Sequence, residues 1–174
     1  LDKNLANARH YPAISWTDSY SEYAAEVDGW FCTNVDARWG ELREEVRNIL
    51  AEDNKIQQVI KLVGEDVLPD DQRLIAFTAF LIKNGYLQQN GSDSYSPPMK
   101  GFEILSVILE FHHKAMELVH KDIPISLIKD DESIDSITHL RELAAEDKEG
   151  FDQLRKRIDA PLERVAAERT RKLR

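Results

Sequence analysis

A single cysteine, Cys32, rules out any disulfide within the chain and makes a reducing compartment its natural setting. Apolar runs are short. None approaches the roughly 18 residues that a membrane-spanning helix needs, and Leu1-Asp2-Lys3-Asn4 has no apolar signal core. Only 7 glycines and 6 prolines occur in 174 residues, and no stretch alternates apolar and polar positions over a strand's length, which excludes a sheet-rich fold. The chemical motifs are missing as well. There is no G-x-x-x-x-G-K-S/T phosphate loop, no G-x-G-x-x-G turn and no G-x-S-x-G nucleophile elbow. Nothing in the sequence places a base beside Cys32, so a thiol enzyme is disfavoured. No catalytic residue and no metal ligand is assigned.

What is present is a globular composition, 42% hydrophobic and 32% charged. The net charge of −9 is unevenly spread. Residues 152–174 carry 8 Lys/Arg against 4 Asp/Glu, and the first 151 residues carry 15 against 28. An acidic body of this kind argues against binding a phosphate backbone, so nucleic acid is not the expected partner. In the basic tail, Glu163, Arg164, Glu168, Arg169 and Arg171 read as the solvated face of a last helix.

The apolar spacing predicts an all-α fold, an orthogonal or irregular bundle of about six helices behind a short extended N-terminal segment. Pro12 pushes its predecessor toward extended geometry over 10–16, and Thr17-Asp18 offers N-cap chemistry for a short helix. Val35, Leu42, Val46, Ile49 and Leu50 form the stripe of a helix over about 34–50. Asp53-Asn54 is expected to interrupt it before Ile56, Val59, Ile60 and Val63 restore the spacing, and Gly64 suits the position after a helix end. Leu68-Pro69-Asp70-Asp71 reads as a helix start, with proline and acids at the positive end of the dipole, continuing to about Gln89. Residues 90–98 are a loop. A further helix from Phe102 to His120 and tail helices over about 133–143 and 148–171 complete the reading.

One helix places Glu110, His113, Glu117 and His120 near one another, and Glu110 with His113 has the Glu-x-x-His spacing of carboxylate-bridged di-iron helices. Such a site needs a second Glu-x-x-His, which the sequence lacks, so polar helix surface is the favoured reading. His112 lies on the apolar stripe and reads as a core-edge histidine. Trp16, Tyr20, Tyr23, Trp30 and Phe31 either pack against structure outside the chain or build this domain's own core.

Three segments carry a family likeness: Leu1–Ala6 with His10-Tyr11-Pro12-Ala13-Ile14-Ser15-Trp16 and Ser19–Ser21; Leu62-Val63-Gly64-Glu65-Asp66-Val67-Leu68-Pro69-Asp70-Asp71-Gln72-Arg73-Leu74; and Tyr86-Leu87-Gln88-Gln89-Asn90 followed by Ile108–Phe111. Over roughly residues 1–121 the chain resembles the C-terminal helical part of the catalytic A subunit of V-type/A-type rotary ATP synthases. The resemblance implies that residues 1–20 are the tail end of a nucleotide-binding domain and 21–174 the C-terminal helical domain. The implied parent binds ATP/ADP with magnesium, couples ATP hydrolysis or synthesis to ion movement, and alternates with B subunits in a hexameric ring around a central stalk. It would be cytoplasmic and peripheral to the membrane, with no direct insertion. The piece by itself is expected to hold no nucleotide tightly and to hydrolyse none. A stand-alone helical adaptor for protein–protein contact is the alternative.

Two roles follow from the resemblance. Tyr11, stiffened by Pro12, sits where the related F-type beta subunit stacks an aromatic on adenine; the plain alternative is a tyrosine packed in the core. The second aromatic of that pocket normally follows the stretch ending at Asn90, where this loop is about three residues short; Tyr95 and Phe102 are substitutes. Glu65, Asp66, Val67, Leu68, Asp70 and Asp71 resemble the acidic loop that pushes on the rotor in F-type beta subunits. The alternative there is ordinary capping and solvation.

Overall fold

A computed structural model describes residues 2–19, 21–89, 95–129, 132–143 and 147–172. Among them are eight α-helices and no strand. Three short helices, α1 (Lys3–Asn7), α6 (Ser126–Lys129) and α7 (Glu132–Asp135), sit around five longer ones: α2 (Ala24–Asn34), α3 (Trp39–Val63), α4 (Asp70–Ile82), α5 (Pro98–Val119) and α8 (Lys148–Lys172). Two 3₁₀ turns, Glu65–Val67 and Ser136–Glu142, and a π turn, Lys83–Leu87, join them. No helix of the described residues is long and apolar enough to cross a membrane.

The core forms where the apolar stripes of α3, α4 and α5 meet. Leu74, Ala79 and Ile82 of α4 and Ile104, Ile108, Phe111 and Ala115 of α5 are essentially sealed from solvent, with Val46, Ile49 and Leu50 of α3 beside them. Side chains at i, i+3 and i+4 share one helix face, so each stripe delivers its apolar area to the same interior. Ile134, Ile137 and Leu140 extend this core toward Phe151, Leu154 and Ile158 of α8. At the α5–α8 seam Arg155 bonds Glu103 at 2.8 Å and Glu110 at 3.0 Å. The outer face of α8 is solvated as its charge pattern predicts, with Glu163, Arg164, Glu168, Arg169 and Arg171 exposed.

Several expectations need correction. Residues 10–16 run without helix as expected, but they are preceded by helix: Asp2 accepts from the amides of Asn4 and Leu5 and caps α1. Thr17-Asp18 does not start a helix; its turn is held by Ser15, whose Oγ accepts from the Asp18 amide at 3.1 Å, and α2 begins at Ala24. The break expected at Asp53-Asn54 does not exist, because α3 runs unbroken through both residues. A carboxylate is tolerated mid-helix on the buried face here because a cation elsewhere in the fold meets it. Gly64, at φ 87°, ends α3 in a backbone conformation that strains any residue with a Cβ. Of the clustered aromatics, Phe31 stacks on Trp39 at 4.4 Å and belongs to the domain's own packing, whereas Tyr23 and Trp30 are exposed. Tyr20 and residues 90–94, with the shortness expected there, lie outside the described residues.

His112 is more buried than a core-edge position implies, at 8% exposure, and its Nδ1 shares a 2.7 Å hydrogen bond with the Thr78 hydroxyl. Burial, then the charge of His113, lowers its pKa to about 4, with Glu45 opposing. The unfolded chain takes up this proton near pH 6.5 and the folded chain only near 4, so His112 stabilises the fold fully above the first value and ceases to as pH falls to the second. Urea unfolding should show wild type losing up to about 3 kcal/mol more than His112→Gln between pH 7 and pH 4; parallel pH profiles would refute it.

Candidate functional site

Residues 10–16 run across the start of the π turn, and a cavity of about 520 Å³ opens beneath them. Its walls mix aromatic and apolar surface from Pro12, Trp16, Tyr86 and Tyr95 with polar groups from Ser15 and Gln89. Tyr86 reaches this wall by lying on Gly101 of α5, where a Cβ would stand 3.1 Å from its ring; burial pushes the Tyr86 hydroxyl's pKa up. A planar ligand with a polar edge suits a pocket of this make-up.

Of the two sequence-predicted nucleobase residues, Pro12 lines the cavity, joined to Tyr11 by a cis peptide bond. Tyr11 is not among the residues that line it; its side chain is 56% exposed and is not packed in the core. The Gln89 amide donates to the Tyr11 carbonyl at 2.7 Å, so this segment and the chain just after the π turn are held together. Of the two substitutes for the second aromatic, Tyr95 lines the same cavity and is 82% exposed. Phe102 is excluded as a ring wall: it is 3% exposed, packed under Trp39 and Arg38.

Sequence reading missed what anchors this segment. Asp53 on α3 is 1% exposed and ion-paired with Lys83 at the head of the π turn. Its other oxygen accepts from Gln57 at 2.9 Å. The neighbouring Asn54 donates to Thr17 at 3.2 Å. The signal was present, since an Asp-Asn pair that fails to break a strong helical pattern must be held by something. Its partner, 30 residues away, carried no local mark.

The second candidate region is the tip between α3 and α4. Val67 is 69% exposed and Leu62 84%, so the turn presents apolar surface beside its acids. Asp66 and Asp71 are exposed. Glu65 is paired with Lys129 at 3.4 Å and with Arg73 at 4.0 Å, and Asp70 with Arg73 at 3.3 Å. Exposed pairs of this type contribute at most about 1 kcal/mol each and leave the tip acidic. Leu68 is the correction. It is 8% exposed and plugs the turn into the body, so its side chain is not part of the contact surface.

The Glu-x-x-His pair on α5 is dispersed: Glu110 pairs with Arg155, His113 with Glu45, and Glu117 is exposed. No three His, Cys, Asp or Glu side chains are gathered for a metal among the described residues.

A family profile described as the C-terminal domain of V and A type ATP synthase matches residues 28–129. The chain is 42% identical over 163 residues to a V-type ATP synthase alpha chain of Halothermothrix orenii, covering 91% of this chain and 28% of that one. It is 38% identical over 172 residues to the A subunit of an A-type ATP synthase from Methanopyrus kandleri, covering 97% and 29%. A V-type ATP synthase alpha chain 2 of Clostridium tetani is 41% identical over 169 residues, covering 95% and 28%. The chain thus spans less than a third of the length of these curated relatives.

The opposite burial of two neighbours in the tip is directly checkable. Leu68→Ala should lower unfolding stability by about 2–4 kcal/mol through the cavity it leaves, whereas Val67→Ala should change it by about 0.5 kcal/mol or less. Urea denaturation of both variants decides, and equal losses would overturn the assignment of Leu68 to the interior.

Proposed function

This chain belongs to the C-terminal domain family of V- and A-type ATP synthases, and from that premise we propose that, as part of a catalytic A subunit, it closes one side of the adenine pocket and carries nucleotide-driven motion to a central stalk. The observation that carries the reading is the pairing of two surfaces on one body: a partly aromatic cavity, roomy enough for a nucleobase, at the 10–16 segment and an acidic, apolar-tipped turn at 65–71. Tyr11 and Pro12 are the adenine-side residues, with the exposed Tyr11 ring free to stack and Pro12 forming the wall beside it. Glu65, Asp66, Val67, Asp70 and Asp71 form the stalk-facing surface, with Val67 as its apolar point and Leu68 as its internal anchor.

Phosphate and magnesium binding fall to the remainder of the parent subunit, which would work between B subunits in a ring, on the cytoplasmic side and peripheral to the membrane. The names of the relatives favour this over a stand-alone adaptor. Stacking an exposed ring on a nucleobase contributes on the order of 1–3 kcal/mol. In the full-length subunit within its complex, Tyr11→Ala should therefore raise the KM for ATP about tenfold or more. The isolated 174-residue chain should hydrolyse no ATP above blank. An unchanged KM would remove Tyr11 from the pocket, and robust turnover by a clean preparation of the chain would overturn the division of labour.

A further inference from the structure

We infer that Lys83, through its buried ion pair with Asp53, is the positioning residue that fixes the nucleobase-side segment 10–16 to helix α3; the inference rests on the adenine reading of Tyr11 given above. Four groups converge on this one lysine. Its ammonium, on a side chain 22% exposed, meets the Asp53 carboxylate, which is itself 1% exposed. The same ammonium lies 5.6 Å from the centre of the Trp16 ring. Its carbonyl, which accepts the closing bond of the π turn from the Gln88 amide at 2.8 Å, also accepts from His10 Nε2 at 3.2 Å. His10 in turn meets Trp16 edge to face at 5.1 Å. Both residues that bracket Tyr11-Pro12-Ala13-Ile14-Ser15 are thereby held by Lys83, one by its backbone and one by its side chain.

The π turn that carries Lys83 has no slack of its own. A Cβ on Gly85 would stand 3.2 Å from the Ile137 carbonyl, so the turn is pressed between the 136–142 turn on one side and the 10–16 segment on the other. Its far end holds the Tyr11 carbonyl through Gln89. On the other side of the ion pair, α3 continues from Asp53 to Gly64, a rise of roughly 16 Å at about 1.5 Å per residue, and ends at the acidic tip. Segment, π turn and α3 are thus one body. A buried pair is the right device for this work, because removing one partner strands the other charge and the geometry has no near-equivalent alternative.

The test uses the full-length subunit within its complex, with Lys83→Met, Lys83→Arg and the double variant Asp53→Leu/Lys83→Met, and with Tyr11→Ala as the reference for the adenine reading. The double variant removes both charges together, so a folded protein remains to be measured if a lone Asp53 carboxylate proves too costly. Two quantities are read: the ratio of kcat/KM for ATP to that for UTP, and amide exchange of the segment containing Gln89, whose N–H is bound to Tyr11. We expect Lys83→Met and the double variant to lower the ATP:UTP ratio about tenfold, with KM for ATP moving more than kcat, and to speed exchange at Gln89 about tenfold. Lys83→Arg should restore most of both. If Tyr11→Ala lowers the ratio and the Lys83 variants do not, the positioning role is overturned while the adenine reading stands. If Tyr11→Ala leaves the ratio unchanged, the adenine reading fails; exchange at Gln89 then still decides whether Lys83 holds the segment, and unchanged exchange overturns that as well.

Discussion

A carboxylate in the middle of α3, on the side chain row that otherwise carries Val46, Ile49 and Ile56, is buried to 1% exposure and finds its charge partner 30 residues away on Lys83. An unpaired carboxylate in that place would cost several kcal/mol, so the pair constrains where the end of α4 can lie against α3. Once Lys83 is placed, the π turn, the Trp16 ring and the His10 hydrogen bond follow, and with them the course of the segment that bears Tyr11 and Pro12. Much of the rest of the core is apolar and tolerant of small shifts. This contact is directional, and it is where the helical body acquires a fixed relation to its N-terminal segment.

The two functional surfaces gain their meaning from that relation. An exposed tyrosine next to a cavity-lining proline is an ordinary feature, and so is an acidic turn at a helix start. In the proposed function, carried at two places on a body that includes α3, they act as a lever whose nucleotide side and stalk side move together. Leu68 serves the same end at the tip: by burying its side chain it seats the turn, so that Val67 and the acids are presented from a fixed base rather than a loose loop.

Much of this was legible in the sequence, for identifiable reasons. Stripes such as Leu42-Val46-Ile49-Leu50 report helices because burial demands their spacing, and Gly64 and Pro69-Asp70-Asp71 mark ends because backbone conformation and the helix dipole demand those residues. The exposed face of α8 was readable from its charges alone. What escaped was long-range. Asp53-Asn54 reads as a break to any local rule, since its justification lies on Lys83 and Thr17. Leu68 reads as part of an exposed loop because its acidic neighbours are exposed, and Phe102 passes for a pocket aromatic until Trp39 is seen to cover it. Local spacing cannot see a contact that the fold creates.

The most direct measurement is a pair of structures of the full-length subunit in its complex, one with the catalytic site loaded with nucleotide and one with it empty. If segment 10–16 and α3 form one lever, Lys83 stays hydrogen-bonded to Asp53 in both states, the two elements superpose as a single rigid unit, and the tip at Glu65–Val67 changes position only with that unit. A loaded or empty state in which the pair is broken and segment 10–16 moves while α3 and its tip stay in place would contradict it.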